Sequence, residues 1–357
     1  MRSTKLVAFV IATTSVASAP VFTVSAQAVT ACSNSNHCYG IDQKEGNGSH
    51  PSAAGTDLRV DCLSVANRSG QFADWEMWYA TDTPQVSYDT WVEEGMTSGT
   101  LQGGHVGFMW YWADQRPNGT YNEHYIRGAS TGSTTNVSVY YAGSNNDNVL
   151  LGGSQVGTSS GNGSGGLYAE AGAEVTTTQT TVNGSSNNFQ YRNSSGWHAA
   201  TPDVYDNSGG LWSTYTSGSY LWVNTGCGSA TVATAKATPM PSSTTQTRQI
   251  LVGIGRDMAS RTNDAKPTRI QMTTSTRQRA LSVLDSDKVN SDQPVYVVQV
   301  KGTFSSFRRM PQHKNGRIPT GDTLTVLVDP ATGQVTDWSI STNAGALAHL
   351  GPITDLA

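Results

Sequence analysis

Between residues 72 and 227 the apolar runs are short, closely spaced and separated by Gly, Asn and Ser, and no stretch keeps helical spacing for more than two turns. This pattern limits the segment to many short strands joined by tight turns. The runs fall at 75–79, 106–113, 121–126, 136–141, 167–177 and 220–224, with a further strand candidate at 58–63. Arg116-Pro117-Asn118-Gly119 separates two of them as a turn, because proline pre-sets the bend and Asn-Gly tolerates positive φ. The expected fold class is mainly β: an antiparallel β-sandwich of jelly-roll or concanavalin-like form, followed by a small α+β domain.

The 357 residues are enough for two domains. Arg2 and Lys5 precede an apolar run from Leu6 to Ala12, and small residues follow up to Ala26-Gln27-Ala28. That order reads as a secretory signal over residues 1–28, with a mature start near Val29. The run is too short to span a bilayer, which needs about 20 apolar residues, so no stable membrane insertion is expected. Val29-Thr30-Ala31-Cys32 also has the form of a lipobox. Lipidation of Cys32 would strand an odd thiol among the four cysteines, Cys32, Cys38, Cys62 and Cys227. An even set suits two disulfides in an oxidising, extracellular compartment, and three pairings are open.

Charge divides the chain. Residues 29–228, the expected sandwich domain, hold 17 acidic and 6 basic residues, whereas 229–357 hold 9 acidic and 14 basic ones. So acidic a domain repels nucleic acid and anionic membranes. Residues 229–247, rich in Ala, Thr, Ser and Pro, read as a linker. Residues 248–357 read as a basic α+β domain, with helices at 248–261 and 275–284, a short strand at 269–272, and strands at 295–300, 324–328 and 335–340. Asp329-Pro330-Ala331-Thr332-Gly333 is the turn between the last two strands. The basic tail could bind an anionic surface, or dock within the molecule on its acidic neighbour.

No Gly-x-Ser-x-Gly elbow, phosphate loop or His-Glu-x-x-His motif occurs, and the residues imply no cofactor. His105, Asp114, Glu123 and His124 lie close in sequence, and a hairpin could gather some of them. Three or four convergent ligands are needed for a metal site, and the spacing shows no such set. The carboxylates carry more. In the strand at 167–177, Glu170, Gly172 and Glu174 share one face, and glycine between two acids leaves space above the sheet. Glu93 and Glu94 point to opposite faces of a second strand. If Glu93 shares a face with Glu170, repulsion and burial raise one pKa, leaving one protonated acid and one base able to activate water. Such pairs serve peptide and glycoside hydrolysis. Acids alternating with small residues also describe the solvent face of a sheet.

Glu93-Glu94-Gly95 and Ala169-Glu170-Ala171-Gly172-Ala173-Glu174 resemble the motifs of the glutamic peptidases of neprosin and scytalidoglutamic type, which are two-sheet sandwiches. The resemblance spans roughly residues 85–225 and implies Glu93 and Glu170 as the catalytic pair, with Glu174 in reserve. Ala171 stands where that family carries Trp. The run Val326-Leu327-Val328-Asp329-Pro330-Ala331-Thr332-Gly333-Gln334-Val335 resembles PepSY-like and cystatin-like modules, some of which act as pro-segments.

A rival reading rests on Phe108, Trp110 and Trp112, which share a strand face opposite Met109 and Tyr111. One set must fill the core. An exposed set could stack on sugars, with Asp114, Gln115 and Glu123 binding hydroxyls. The alternative is burial of both sets, in keeping with the high average burial of Trp. The partner is then a polypeptide or polysaccharide outside the cell.

Overall fold

A computed structural model describes residues 32–33, 37–45, 51–65, 71–81, 90–101, 105–162, 165–200, 203–227, 239–306, 318–342 and 347–357. The expected signal and residues 229–238 of the expected linker lie outside them. The strands are β1 (Cys38–Glu45), β2 (Ala53–Val65), β3 (Phe72–Thr81), β4 (Trp91–Leu101), β5 (His105–Gln115), β6 (Tyr121–Gly128) and β7 (Thr134–Gly143). Next come β8 (Asn146–Leu151), β9 (Ser154–Ser160), β10 (Gly166–Val175), β11 (Thr180–Asn193), β12 (Gly196–Ala199), β13 (Val204–Asp206), β14 (Ser213–Ser217) and β15 (Tyr220–Asn224). The C-terminal part holds α1 (Thr244–Arg261), β16 (Arg269–Thr276), α2 (Arg277–Leu284), β17 (Lys288–Val289), β18 (Pro294–Ser305), β19 (Thr320–Val328), β20 (Val335–Ser341) and β21 (Thr354–Asp355). The fold is mainly β, with two large antiparallel sheets packed as a sandwich.

The larger sheet has twelve strands in the order β13-β1-β10-β3-β4-β5-β6-β20-β19-β18-β16-β21. The smaller runs β14-β15-β11-β2-β7-β8-β9-β17, with β12 on β11. Large apolar residues from both sheets meet between them, and glycines make the room. A Cβ at Gly157 would collide with the indole of Trp112, and one at Gly184 with that of Trp75. Each ring therefore lies flat against backbone of the opposite sheet.

The C-terminal elements join both sheets. β20 pairs with β6, so strands β16 and β18–β20 prolong the larger sheet, while β17 pairs with β9 of the smaller one. α1 is helical from Thr244, within the stretch expected to be linker, and it buries Leu251, Ile254 and Met258, spaced for one helical face, on the larger sheet. Two disulfides resolve the pairing as Cys32–Cys38 and Cys62–Cys227, so the Cys32 sulfur is bonded within the chain. No helix among the described residues is long and apolar enough to cross a membrane.

A chain of buried ions crosses the β6–β20 seam. Arg277 of α2 donates to both oxygens of Asp337 at 2.7 Å and to the Tyr125 carbonyl at 2.7 Å. Asp337 accepts from His124 Nδ1 at 2.9 Å, and His124 Nε2 lies 3.2 Å from Asp287. Asp287 in turn pairs with Arg116, whose Nε lies 3.1 Å from Asp114. Signs alternate along this chain, and that alternation offsets desolvation. The two aspartates lift His124 to about 9 against the opposing effect of burial, and Asp337 is held at about 2 by Arg277 and His124 although burial acts the other way.

Removing one member leaves its partner charged and buried. Arg277→Ala is expected to cost about 3–5 kcal/mol in urea unfolding. Arg277→Lys should recover only part of that, because an ammonium cannot bridge both oxygens. A loss under about 1 kcal/mol would mean that strand pairing alone holds the seam.

Candidate active site

Strand register decides which side chains share a face. Across β10, β3 and β4 the opposed residues are Glu170, Trp78 and Glu93 in one row, then Gly172, Glu76 and Gly95, then Glu174, Asp74 and Thr97. Glu123 of β6 joins the first row through Ala113 of β5. Six acids therefore occupy one face of the larger sheet, the one turned away from the smaller sheet. Each of Asp74, Glu76, Glu93, Glu123, Glu170 and Glu174 is 2% exposed or less.

The strands hold these acids in a dense aromatic setting. Glu93 accepts from the Trp91 indole N–H at 2.9 Å and from the Tyr111 hydroxyl at 3.5 Å. Burial first, then the charges of Glu174 and Glu123, hold Glu93 well above the ordinary carboxylate range; the indoles of Trp91 and Trp78 oppose this as donors. Glu76 is raised likewise, by burial and then by Glu93 and Glu174. Glu123 accepts from the Tyr121 hydroxyl at 2.8 Å and is also raised, chiefly by burial. Glu174 has a different partner set: it contacts Nδ1 of His37 and accepts from the Tyr39 hydroxyl at 3.1 Å. His37 sits within the Cys32–Cys38 loop. Asn207 brackets it, accepting from the Tyr39 amide at 2.7 Å and donating to the His37 carbonyl at 3.1 Å.

Glycine has a packing role here rather than the one expected. A Cβ at Gly95 would strike the Glu76 side chain and the Trp75 carbonyl, and one at Gly172 would strike the Gly40 carbonyl of β1. The space over Gly172 is filled by neighbouring backbone, which corrects the reading of an open gap between the two acids.

The sequence-derived residues thus divide. Glu93, Glu123, Glu170 and Glu174 come together on one face. Glu94 points the opposite way, into the space between the sheets, and accepts from the Ser138 amide at 3.2 Å. Trp110, Trp112 and Asp114 also lie on that inner side, all buried, so no aromatic row of β5 is open to a sugar. The Trp112 ring lies against His124, tilted by 32° with centroids 4.0 Å apart, and Asp114 accepts from Asn122 at 2.6 Å while pairing with Arg116. Of the two readings of this aromatic run, burial is the one observed, and Asp114 is buried with it. Ala171, in the place of the family's Trp, faces the inter-sheet core opposite Met77. The side chain of His105 is not among those described.

Sequence reasoning missed Asp74, Glu76, Tyr39 and His37. The available signal was Asp74-Trp75-Glu76-Met77-Trp78, where acids alternate with large apolar residues in a strand with no polar face. Asp74, Glu76 and Glu174 place one oxygen each within 4.8 Å of one another, a spacing a cation could use.

No protein-family model matches the chain, and no curated protein matches it. Solved structures similar to it include a scytalido-glutamic peptidase with a peptide-based transition-state analogue, at 16% identity, covering 53% of this chain and 98% of that one, TM-score 0.33. SCP-B, a member of the Eqolisin family of peptidases in complex with the tripeptide Ala-Ile-His, is similar at 16% identity with the same coverage and a TM-score of 0.33. A β-porphyranase from the human gut bacterium Bacteroides plebeius is similar at 6% identity, covering 38% of this chain and 64% of that one, TM-score 0.18.

Proposed function

We propose that the chain is an exported acid peptidase of the glutamic type, with residues 1–28 as its signal. The observation that carries this reading is the row Glu170–Trp78–Glu93, two carboxyls flanking one indole on a buried face with further acids beside them. Their Cα atoms are two strand spacings apart, about 10 Å, and both side chains project to the same side. With the covering layer open, a scissile peptide and a water lie over Trp78 between the two carboxyls. Glu170 accepts a proton from the water as its oxygen bonds to the carbonyl carbon. Glu93, kept protonated by burial, donates to the developing oxyanion, and a proton then passes to the departing amine as the C–N bond breaks. The two disulfides support an oxidising destination. These carboxyls are closed to water, so substrate reaches them only after part of the covering layer opens. Docking of the C-terminal region within the molecule belongs to the same reading: α1 packs over β18 on the same face of the larger sheet as the acids.

Digestion of a denatured protein over a pH series tests the reading. Activity is expected on the acid side of neutrality and should fall as rising pH deprotonates Glu93. Glu93→Gln and Glu170→Gln should each lose about 10²–10⁴-fold in kcat/KM with the fold retained. Undiminished hydrolysis in either variant, or a maximum above neutrality, sinks it.

The same acids set a stability profile. Glu76, Glu93 and Glu123 are raised from 4.5, Asp285 sits at about 7 and Asp147 at about 8, in each case through burial first. The folded state therefore holds protons that the unfolded chain releases once pH exceeds ordinary carboxylate values. The stabilisation is complete below those values and is lost as pH rises through the folded ones. The contribution of His124 is likewise lost as pH rises towards about 9, whereas that of Asp337 is lost only as pH falls towards about 2. Tm should peak near pH ~4 and drop by more than about 5 °C towards pH ~8, with a shallower slope in Glu76→Gln. A Tm that rises between those two pH values would contradict these protonation states.

A further inference from the structure

We propose that the outer face of the smaller sheet, at its β14–β15 edge, is a binding site for a neutral polysaccharide. Leu221 and Val223 of β15 are buried, so the alternate residues Tyr220 and Trp222 face outward. Register sets Tyr215 of β14 directly opposite Trp222, and Ser185 of β11 on the other side of that indole. Tyr215 is 57% exposed, and its ring meets that of Tyr220 edge-on with centroids 6.4 Å apart. Three aromatic rings thus form one outward strip on two strands. Lone surface aromatics are ordinary, but a contiguous set in a polar surround marks a binding surface.

Two further observations define the occupant. The Trp222 indole N–H donates to Asn183 Oδ1 at 2.8 Å, which fixes the ring before any ligand arrives. The patch also has no charge: residues 207–226 contain no Asp, Glu, Lys or Arg. Further inland on β2, Arg59 is neutralised by Asp61 at 2.8 Å, and Asp57 accepts from Asn188 at 2.7 Å and Asn136 at 3.0 Å. What is left to a ligand is aromatic faces, hydroxyls and amides. A pyranose ring is complementary to such a surface. Its C–H face is apolar and meets the electron-rich ring face, and its hydroxyls find Ser and Asn groups at the margin. A nucleic acid or an acidic glycan finds no cation there to neutralise it. The patch lies on the far side of the sandwich from the carboxyl-bearing face, so a chain held on a polymer keeps that face turned away from it. This assignment is independent of the peptidase reading.

Retention of the full-length exported protein on insoluble cellulose, chitin and xylan tests it, with sedimentation analysis and thermal melts alongside. The expected result is retention on at least one polymer, weakened about tenfold or more in Tyr215→Ala and in Trp222→Ala at unchanged Tm. Should Trp222→Ala fail to fold, Tyr215→Ala combined with Tyr220→Ala decides the matter. Absence of retention on all three polymers overturns the proposal, as does retention undiminished in the Tyr215 and Tyr220 double variant. A dimer of the wild-type chain that Tyr215→Ala dissociates also overturns it, by giving the β14 edge to a second copy. Proteolytic activity enters none of these readouts.

Discussion

A carboxyl group sealed from water costs several kcal/mol to ionise, and the larger sheet carries six of them on one face. Among them Glu174 lies against a base, His37. Glu93 and Glu123 accept from Trp and Tyr donors. Such a face is tolerable if most of its members keep their protons, which makes an acidic medium favourable to the fold. It also explains the aromatic setting: Tyr and Trp supply hydrogen-bond donors without introducing charge.

The opposite face of that sheet handles charge differently. Between the layers, Arg277, Asp337, His124, Asp287, Arg116 and Asp114 alternate in sign and neutralise one another pair by pair. The chain starts on α2 and ends on β5, so it joins segments that strand pairing brings together at β6–β20 and β9–β17. One sheet thus carries like-signed groups that share protons on one side and opposite-signed groups that share charge on the other. The first arrangement favours an acidic medium. The second withstands one, because Asp337 stays ionised down to about 2.

How much of this could be read from the chain follows from what each strand must bury. β3, β5, β18 and β19 are rich in large apolar residues and stand out as strands. The turns at 116–119 and 329–333 stand out through their Pro, Asn and Gly. The two helices show through apolar spacing. β11 was not legible, because its outward residues are Asn, Ser and Thr and its inward ones include Gly184 and Ser186, a composition shared with loops. The shared face of Glu170 and Glu174 follows from period two. The juxtaposition of β10 with β3, which brings in Glu76 and Asp74, depends on pairing between segments about a hundred residues apart, and no local pattern encodes it. The union of the C-terminal strands with the larger sheet is hidden for the same reason. The aromatic run of β5 was ambiguous in principle, since a strand buried on both faces and one with an open aromatic face have the same alternation.

Cys62 and Cys227 lie 165 residues apart, on β2 and just beyond β15. In the chain-entropy picture a bridge of that span contributes about 5 kcal/mol by restricting the unfolded chain. It has a second effect that concerns survival rather than folding. Strands β3 to β15 and the hairpins between them fall inside the covalent ring it closes. A single cut in any of those loops opens the ring but releases no fragment, and the broken ends stay tethered within reach of their native partners. Such a ring turns a first nick from a loss of mass into a reversible local injury.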